Sequence, residues 1–251
     1  MKESGGNGNI MDVANREEIE WTNTWIDYAF NPGCRRILLL GDSVARQYRG
    51  RLRKQLEGTA IDFIGTSFSL EDEMLYRLLD CFFANREYSY DMLLLNLGGK
   101  HGYYLKTVQD EEDAARYRMA YERLLAYLLP KFPKTAVLLA TPNVRKRQHK
   151  VWDFEVNLEI MRRNEISAEA AKAHGLPVVD LFSLCIDGKF KYADRQHLAD
   201  EDEYFKLTDY LCNQLKACGY LEGYTVRPIP HVNAWKKFWR GLFGKNKKRE
   251  E

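Results

Sequence analysis

The chain has 251 residues, 45% of them hydrophobic and 29% charged. That is the composition of a globular protein with room for one sizeable core, and it excludes a wholly disordered chain, a collagen-like repeat or a disulfide-stapled miniprotein. The formal charge of +2 hides an asymmetry: residues 235–251 hold seven Lys or Arg and two Glu, a local +5, so the rest of the chain carries −3. A basic excess confined to a tail argues against a nucleic-acid groove across the body. No run reaches the ~18 apolar residues of a membrane span. No apolar leader core opens the chain, and the five scattered cysteines form no Cys-x-x-Cys pair. The composition points to the cytoplasm and calls for no cofactor and no metal.

Residues 1–34 are read as a polar, Gly-rich segment followed by a lead-in helix near Ile19, Trp25 and Ile26. From residue 35 the pattern turns regular. RRILLLGDS (35–43) is an apolar run stopped by Gly41, a buried strand. In 44–58, Val44, Tyr48, Leu52 and Leu56 recur every four residues, one face of a helix. AIDFIG (60–65) predicts a second strand and 70–85 a second helix. YDMLLLNLGG (90–99) is a third strand running into glycines, 110–132 a long helix, and TAVLLATP (135–142) a fourth strand stopped by Pro142. A helix over 154–175, a short strand in 176–182 and a helix over 200–219 complete the series.

This alternation predicts a three-layer α/β/α domain over 35–222, with a five-stranded parallel sheet in the flavodoxin-like order 2-1-3-4-5. Ligands of such sheets bind beyond the carboxyl ends of the strands, so the residues just after each strand carry the interest.

Two of those loops hold complementary chemistry. Gly41-Asp42-Ser43 puts a hydroxyl at a strand-to-helix turn, where helix N–H groups favour a developing negative charge. The bland alternative is a helix cap, since Ser is a preferred capping residue. Asp194-Arg195-Gln196-His197, before the last helix, offers a base and an orienting carboxylate three residues apart. Alone it is as easily an incidental surface turn.

Together these motifs resemble the SGNH (GDSL-type) hydrolase superfamily, with Gly41-Asp42-Ser43 as the nucleophile block, Gly65 after the second strand, and Asp194-x-x-His197 as the last block. The resemblance covers roughly residues 35–219 and implies a serine-dependent carboxylic ester hydrolase. It assigns Ser43 as nucleophile, His197 as base, Asp194 as its orienting group and the Gly65 N–H as an oxyanion donor. The third block departs from the family's Gly-x-Asn-Asp. Here Asn96-Leu97-Gly98-Gly99-Lys100-His101-Gly102 leaves two readings open: His101 replaces the usual amide donor behind Gly99, or Asn96 supplies it. By analogy the substrate is an O-acylated, above all O-acetylated, carbohydrate of a polysaccharide. Acetyl transfer to a polysaccharide by the same residues is the first alternative; a non-catalytic glycan-binding protein is the second. Asp42, Arg46 and Asn143 are weaker candidates for substrate contact, Arg46 through a carboxylate on an acidic sugar. The basic run 145–150 beside the site is either an attractor for an anionic glycan or phosphate-bearing carrier, or a solvated loop.

Residues 223–251 read as a linker with Pro228 and Pro230, then a basic amphipathic helix. Trp235, Phe238, Trp239, Leu242 and Phe243 fall within an arc of about 140° at helical pitch, with the cations opposite. That pattern suits a helix lying in an anionic membrane surface, peripheral to the inner face; packing on the body or on a second subunit is the competing reading. The membrane reading predicts that the full chain sediments with anionic liposomes and that a chain ending at residue 230 does not. Full-length protein that stays in the supernatant removes it.

Overall fold

The computed structural model describes residues 19–84, 88–99, 111–145 and 147–228. In chain order its elements are β1 (Thr22–Trp25), β2 (Arg36–Gly41), α1 (Ser43–Gln55), β3 (Leu56–Glu57), β4 (Ala60–Thr66), α2 (Glu73–Ala84), β5 (Met92–Asn96) and α3 (Glu111–Leu128). Then come β6 (Thr135–Leu138), β7 (Val144–Arg145), β8 (Gln148–Trp152), α4 (Phe154–Ala173), β9 (Val178–Val179), α5 (Leu181–Asp187), α6 (Glu201–Ala217) and β10 (Thr225–Val226). No helix among the described residues is long and apolar enough to cross a membrane.

The main sheet has six strands in the order β1-β4-β2-β5-β6-β9. Strands β4, β2, β5, β6 and β9 are parallel and correspond to the five read from the sequence. The sixth corrects the expectation of five: β1 pairs antiparallel with β4, Asn23 opposite Gly65 and Trp25 opposite Phe63. The lead-in expected to be helical is therefore a strand where it reaches residue 22. The basic run expected as a loop is largely a β7–β8 hairpin, and α5 fills the start of what was read as a loop after the last strand.

Period-two alternation along the strands feeds two cores, one on each face of the sheet. Ile37, Leu39, Phe63 and Leu94 pack with Val44, Tyr48 and Leu52 of α1 and with Leu207, Leu211 and Leu215 of α6. Leu38, Leu40, Leu93 and Leu95 pack with Leu75 and Leu79 of α2, Leu124 and Leu125 of α3 and Ile166 of α4. Burial on both faces is why these strands read as unbroken apolar runs.

At the start of β2 the sheet is tied down by an ion pair. Arg36 and Asp62 are both fully buried, with Nη1 donating to both carboxylate oxygens at 3.1 and 2.9 Å. The guanidinium also donates to the carbonyls of Asp27, Tyr28 and Asn31, and its central carbon lies 3.9 Å from the centre of the Tyr88 ring. Tyr90 donates its hydroxyl to Asp62 at 2.9 Å. This bundle holds the segment between β1 and β2 against the sheet. Asp62→Ala leaves a buried cation without its counter-charge, which is expected to cost about 3–5 kcal/mol in urea unfolding. A loss below about 1 kcal/mol, the scale of an exposed pair, would show that the carbonyls alone hold Arg36.

Candidate active site

Three residues at the end of β2 each have a separate reason to be there. At Gly41 a Cβ would sit 2.4 Å from the Cβ of Ala45 and 3.2 Å from the carbonyl oxygen of Asn96, so no larger residue fits. Asp42 is the cap of α1: its Oδ1 accepts from the N–H of Val44 at 2.8 Å and of Ala45 at 3.1 Å. Asp42 thus has a capping role in a buried position. Ser43 is the first residue of α1 and partly exposed, so its hydroxyl sits at the open end of the sheet.

The partner comes from the loop before α6. His197 Nε2 lies 2.9 Å from Ser43 Oγ, a contact spanning 154 positions of sequence. His197 Nδ1 lies 2.8 Å from Asp194 Oδ2. An ionised carboxylate has no proton to give, so Nδ1 is the donor in that pair, and Nε2 is left to accept from the serine. The other oxygen, Asp194 Oδ1, accepts from the backbone N–H of Gln196 at 2.9 Å and of His197 at 2.8 Å. The three-residue spacing is that of an Asx turn, which aims the ring while it orients the carboxylate.

This turn is held from below. Ala193 N–H donates to the carbonyl of His197, and Tyr192 bridges Leu198. Leu198 is buried and donates its N–H to Tyr204 Oη at 3.0 Å. From the side, Val144 N–H donates to the carbonyl of Arg195 at 2.7 Å, and Arg195 Nη2 donates to Asp153 at 2.8 Å. Sequence reading treated Arg195 as a spacer within its motif. No local signal marks it, because both partners lie on the β7–β8 hairpin and its exit.

Burial pushes the Asp194 carboxyl upward, but the hydrogen bonds from Gln196, His197 and the ring outweigh it and hold the carboxyl below its ordinary value. A carboxylate with a depressed value stabilises the fold above its unfolded value of about 4 and loses that contribution as pH falls through the folded value. The melting temperature of Asp194→Asn should therefore lie below the parent's at pH 7 and converge with it in acid. A gap independent of pH would mean that the charge does not matter.

The expected oxyanion donors fare differently. Gly65 lies inside β4 rather than after it. Ala60 N–H points to Arg35 on the β2 side, and Ser67 N–H to Trp21 on the β1 side. The alternation of the ladder then directs the Gly65 N–H to Asn23 of β1, away from an oxyanion. The Asn96 side chain is buried; its Nδ2 donates to the carbonyl of Leu138 at 2.9 Å, and its Oδ1 accepts from Tyr48 at 3.1 Å. That amide fastens β5 to β6 and α1. Gly99 packs on Ala140, where a Cβ would come within 2.4 Å of the alanine's own. His101 lies outside the described residues, as do Trp235, Phe238, Trp239, Leu242 and Phe243 of the tail.

Arg46 sits one turn along α1 from Ser43, its guanidinium 5.5 Å from the centre of the Trp21 ring. Asn143 is fully buried, with its backbone N–H on Asn157 at 2.7 Å, and neither polar atom of its side chain has a hydrogen-bond partner. It does not line an open surface. His174 caps the end of α4 and pairs with Glu122 at 2.7 Å.

No family model and no curated protein matches the sequence. Solved structures do. A catalytic mutant of Axe2, an acetylxylan esterase from Geobacillus stearothermophilus, superposes with a TM-score of 0.54 at 11% identity, covering 78% of this chain and 97% of that one. The acetyl xylan esterase AlAXEase gives 0.52 at 15% identity, over 71% and 98%. A lipase/acylhydrolase from Enterococcus faecalis gives 0.52 at 17%, over 78% and 100%. At such identities the likeness shows the fold alone: an α/β architecture shared with these esterases and this acylhydrolase.

Proposed function

We propose that this protein, an α/β chain that resembles the SGNH-type hydrolases, is a serine-dependent ester hydrolase that removes an acyl group, in the first place acetyl, from a carbohydrate hydroxyl. The observation that carries the reading is the continuous hydrogen-bonded line from Ser43 through His197 to Asp194 at the carboxyl end of the sheet. The acetyl group and the carbohydrate follow by analogy with the acetylxylan esterases among the structural neighbours.

In this reaction Ser43 Oγ attacks the ester carbonyl while its proton passes to His197 Nε2. The imidazolium formed is stabilised by the Asp194 carboxylate, which stays ionised throughout. The carbonyl electrons move onto oxygen, and the Ser43 N–H, one of the helix N–H groups with no partner inside α1, faces that charge. Collapse expels the sugar alkoxide, which takes the proton from His197. Water then attacks the acyl-serine, gives its proton to His197, and the acid leaves as Ser43 regains its hydrogen.

A second oxyanion donor is needed. With the Asn96 amide bound to Leu138 and the Gly65 N–H directed to β1, His101, supported by the Gly99 backbone, takes that role. Purified protein is expected to hydrolyse 4-nitrophenyl acetate, and Ser43→Ala to lower kcat/KM by at least ~10³-fold. A fluorophosphonate probe should label the parent and not the variant. Unchanged turnover in Ser43→Ala overturns the assignment; labelled acetyl appearing on a glycan instead of in water makes the protein a transferase. His101→Ala should lower kcat by about 10²–10³-fold with an unchanged melting temperature, whereas Asn96→Ala should lower the melting temperature. The reverse pattern would return Asn96 to the oxyanion hole.

A further inference from the structure

The loop that carries His197 also borders a cavity that the hydrolytic residues do not use. It is open, about 520 Å³ in volume, and lined by Arg145, Arg147, Gln148, Asp153, Glu155 and Arg195. That volume lies within the ~300–1,000 Å³ typical of small-molecule sites. Three guanidiniums face two carboxylates. Asp153 makes no side-chain cap on α4 and pairs with Arg195 at 2.8 Å instead, so these two charges cancel. Glu155 is then the one carboxylate set against Arg145 and Arg147, which form no ion pair among the described residues. Arg195 Nε, buried, also has no hydrogen-bond partner.

We infer that the β7–β8 hairpin and the His197 loop form a binding site for an anionic group, a carboxylate or a phosphate, on the acylated carbohydrate. Resting on the hydrolase reading, this makes the substrate an acidic glycan rather than a neutral one. The chemistry is that of the guanidinium fork, which presents paired N–H donors at the spacing of two oxyanion oxygens. The geometry links the site to the reaction. Arg195 sits between Asp194 and His197, and its carbonyl takes the Val144 N–H from the hairpin at 2.7 Å. A backbone hydrogen bond thus joins the hairpin that carries the anion donors to the loop that carries the base. An anion held by the hairpin's guanidiniums is thereby placed beside the segment that presents the imidazole.

Direct titration tests this whether or not Ser43 is an active nucleophile. Glucuronic acid, inorganic phosphate and neutral glucose are titrated calorimetrically at low salt into full-length protein and into an Arg145→Ala/Arg147→Ala double variant. Both positions are exposed, and the Val144–Arg195 backbone bond survives the substitution. Saturable binding of either acid but not of glucose, weakened at least ~10-fold in the double variant and by added salt, supports the site, and the acid that binds names the anion. Absence of saturable binding by both acids, or binding the double variant keeps, overturns it. Hydrolysis of 4-nitrophenyl acetate by the same preparations reports separately on Ser43. With Ser43 active, O-acetylated glucuronic acid should show a lower KM than O-acetylated glucose in the parent, and the double variant should lose that difference. Equal KM values for the two esters in the parent overturn the assignment of the site to substrate.

Discussion

A serine hydroxyl is a poor nucleophile until something accepts its hydrogen, and in the proposed reaction the acceptor comes from a loop 154 positions away in sequence. Both sides of that contact are fixed by backbone. On one side the Asp42 cap locks the first turn of α1, and Gly41 lets that turn press onto the end of β2. On the other the Asx turn of Asp194 sets the ring by holding its own N–H. A contact between two rigid turns is reproduced each time the chain folds, which long flexible side chains would not ensure.

Much of this was legible in the sequence, and the reason is burial. The runs around Leu38, Leu94 and Val137 are covered on both faces, so their apolar pattern survives any detail of packing. Val44, Tyr48 and Leu52 announce the covered face of α1 for the same reason. The two motifs were legible because each is local: Gly41-Asp42-Ser43 and Asp194-x-x-His197 build their turns within a few residues.

What escaped was set by pairing at a distance. Thr22–Trp25 is an edge strand, mostly exposed, in a stretch where the spacing of Ile19, Trp25 and Ile26 imitates a helix; only its partner β4 makes it a strand. The same pairing carried β4 past Gly65 to Thr66 and turned a glycine read as a loop donor into a ladder residue. The β7–β8 hairpin is charged and largely open to solvent, so no periodicity distinguished it from a loop. Asn96 shows the converse. Its type and place suit the oxyanion role, but a buried carboxamide at a strand end must first satisfy its own hydrogen bonds, and Leu138 and Tyr48 do so.

The bundle at the foot of β2 bears on which exchanges the chain tolerates. Arg36 works as a planar fork that divides its hydrogens between Asp62 and three carbonyls while its guanidinium sits over the Tyr88 ring. A lysine keeps the charge but presents a single ammonium point, without the breadth to reach those acceptors together or a face to lay on the ring. The usual assumption that one basic residue substitutes for another fails at this position. Across relatives, arginine there should drift only together with Asp62 and the segment it pins.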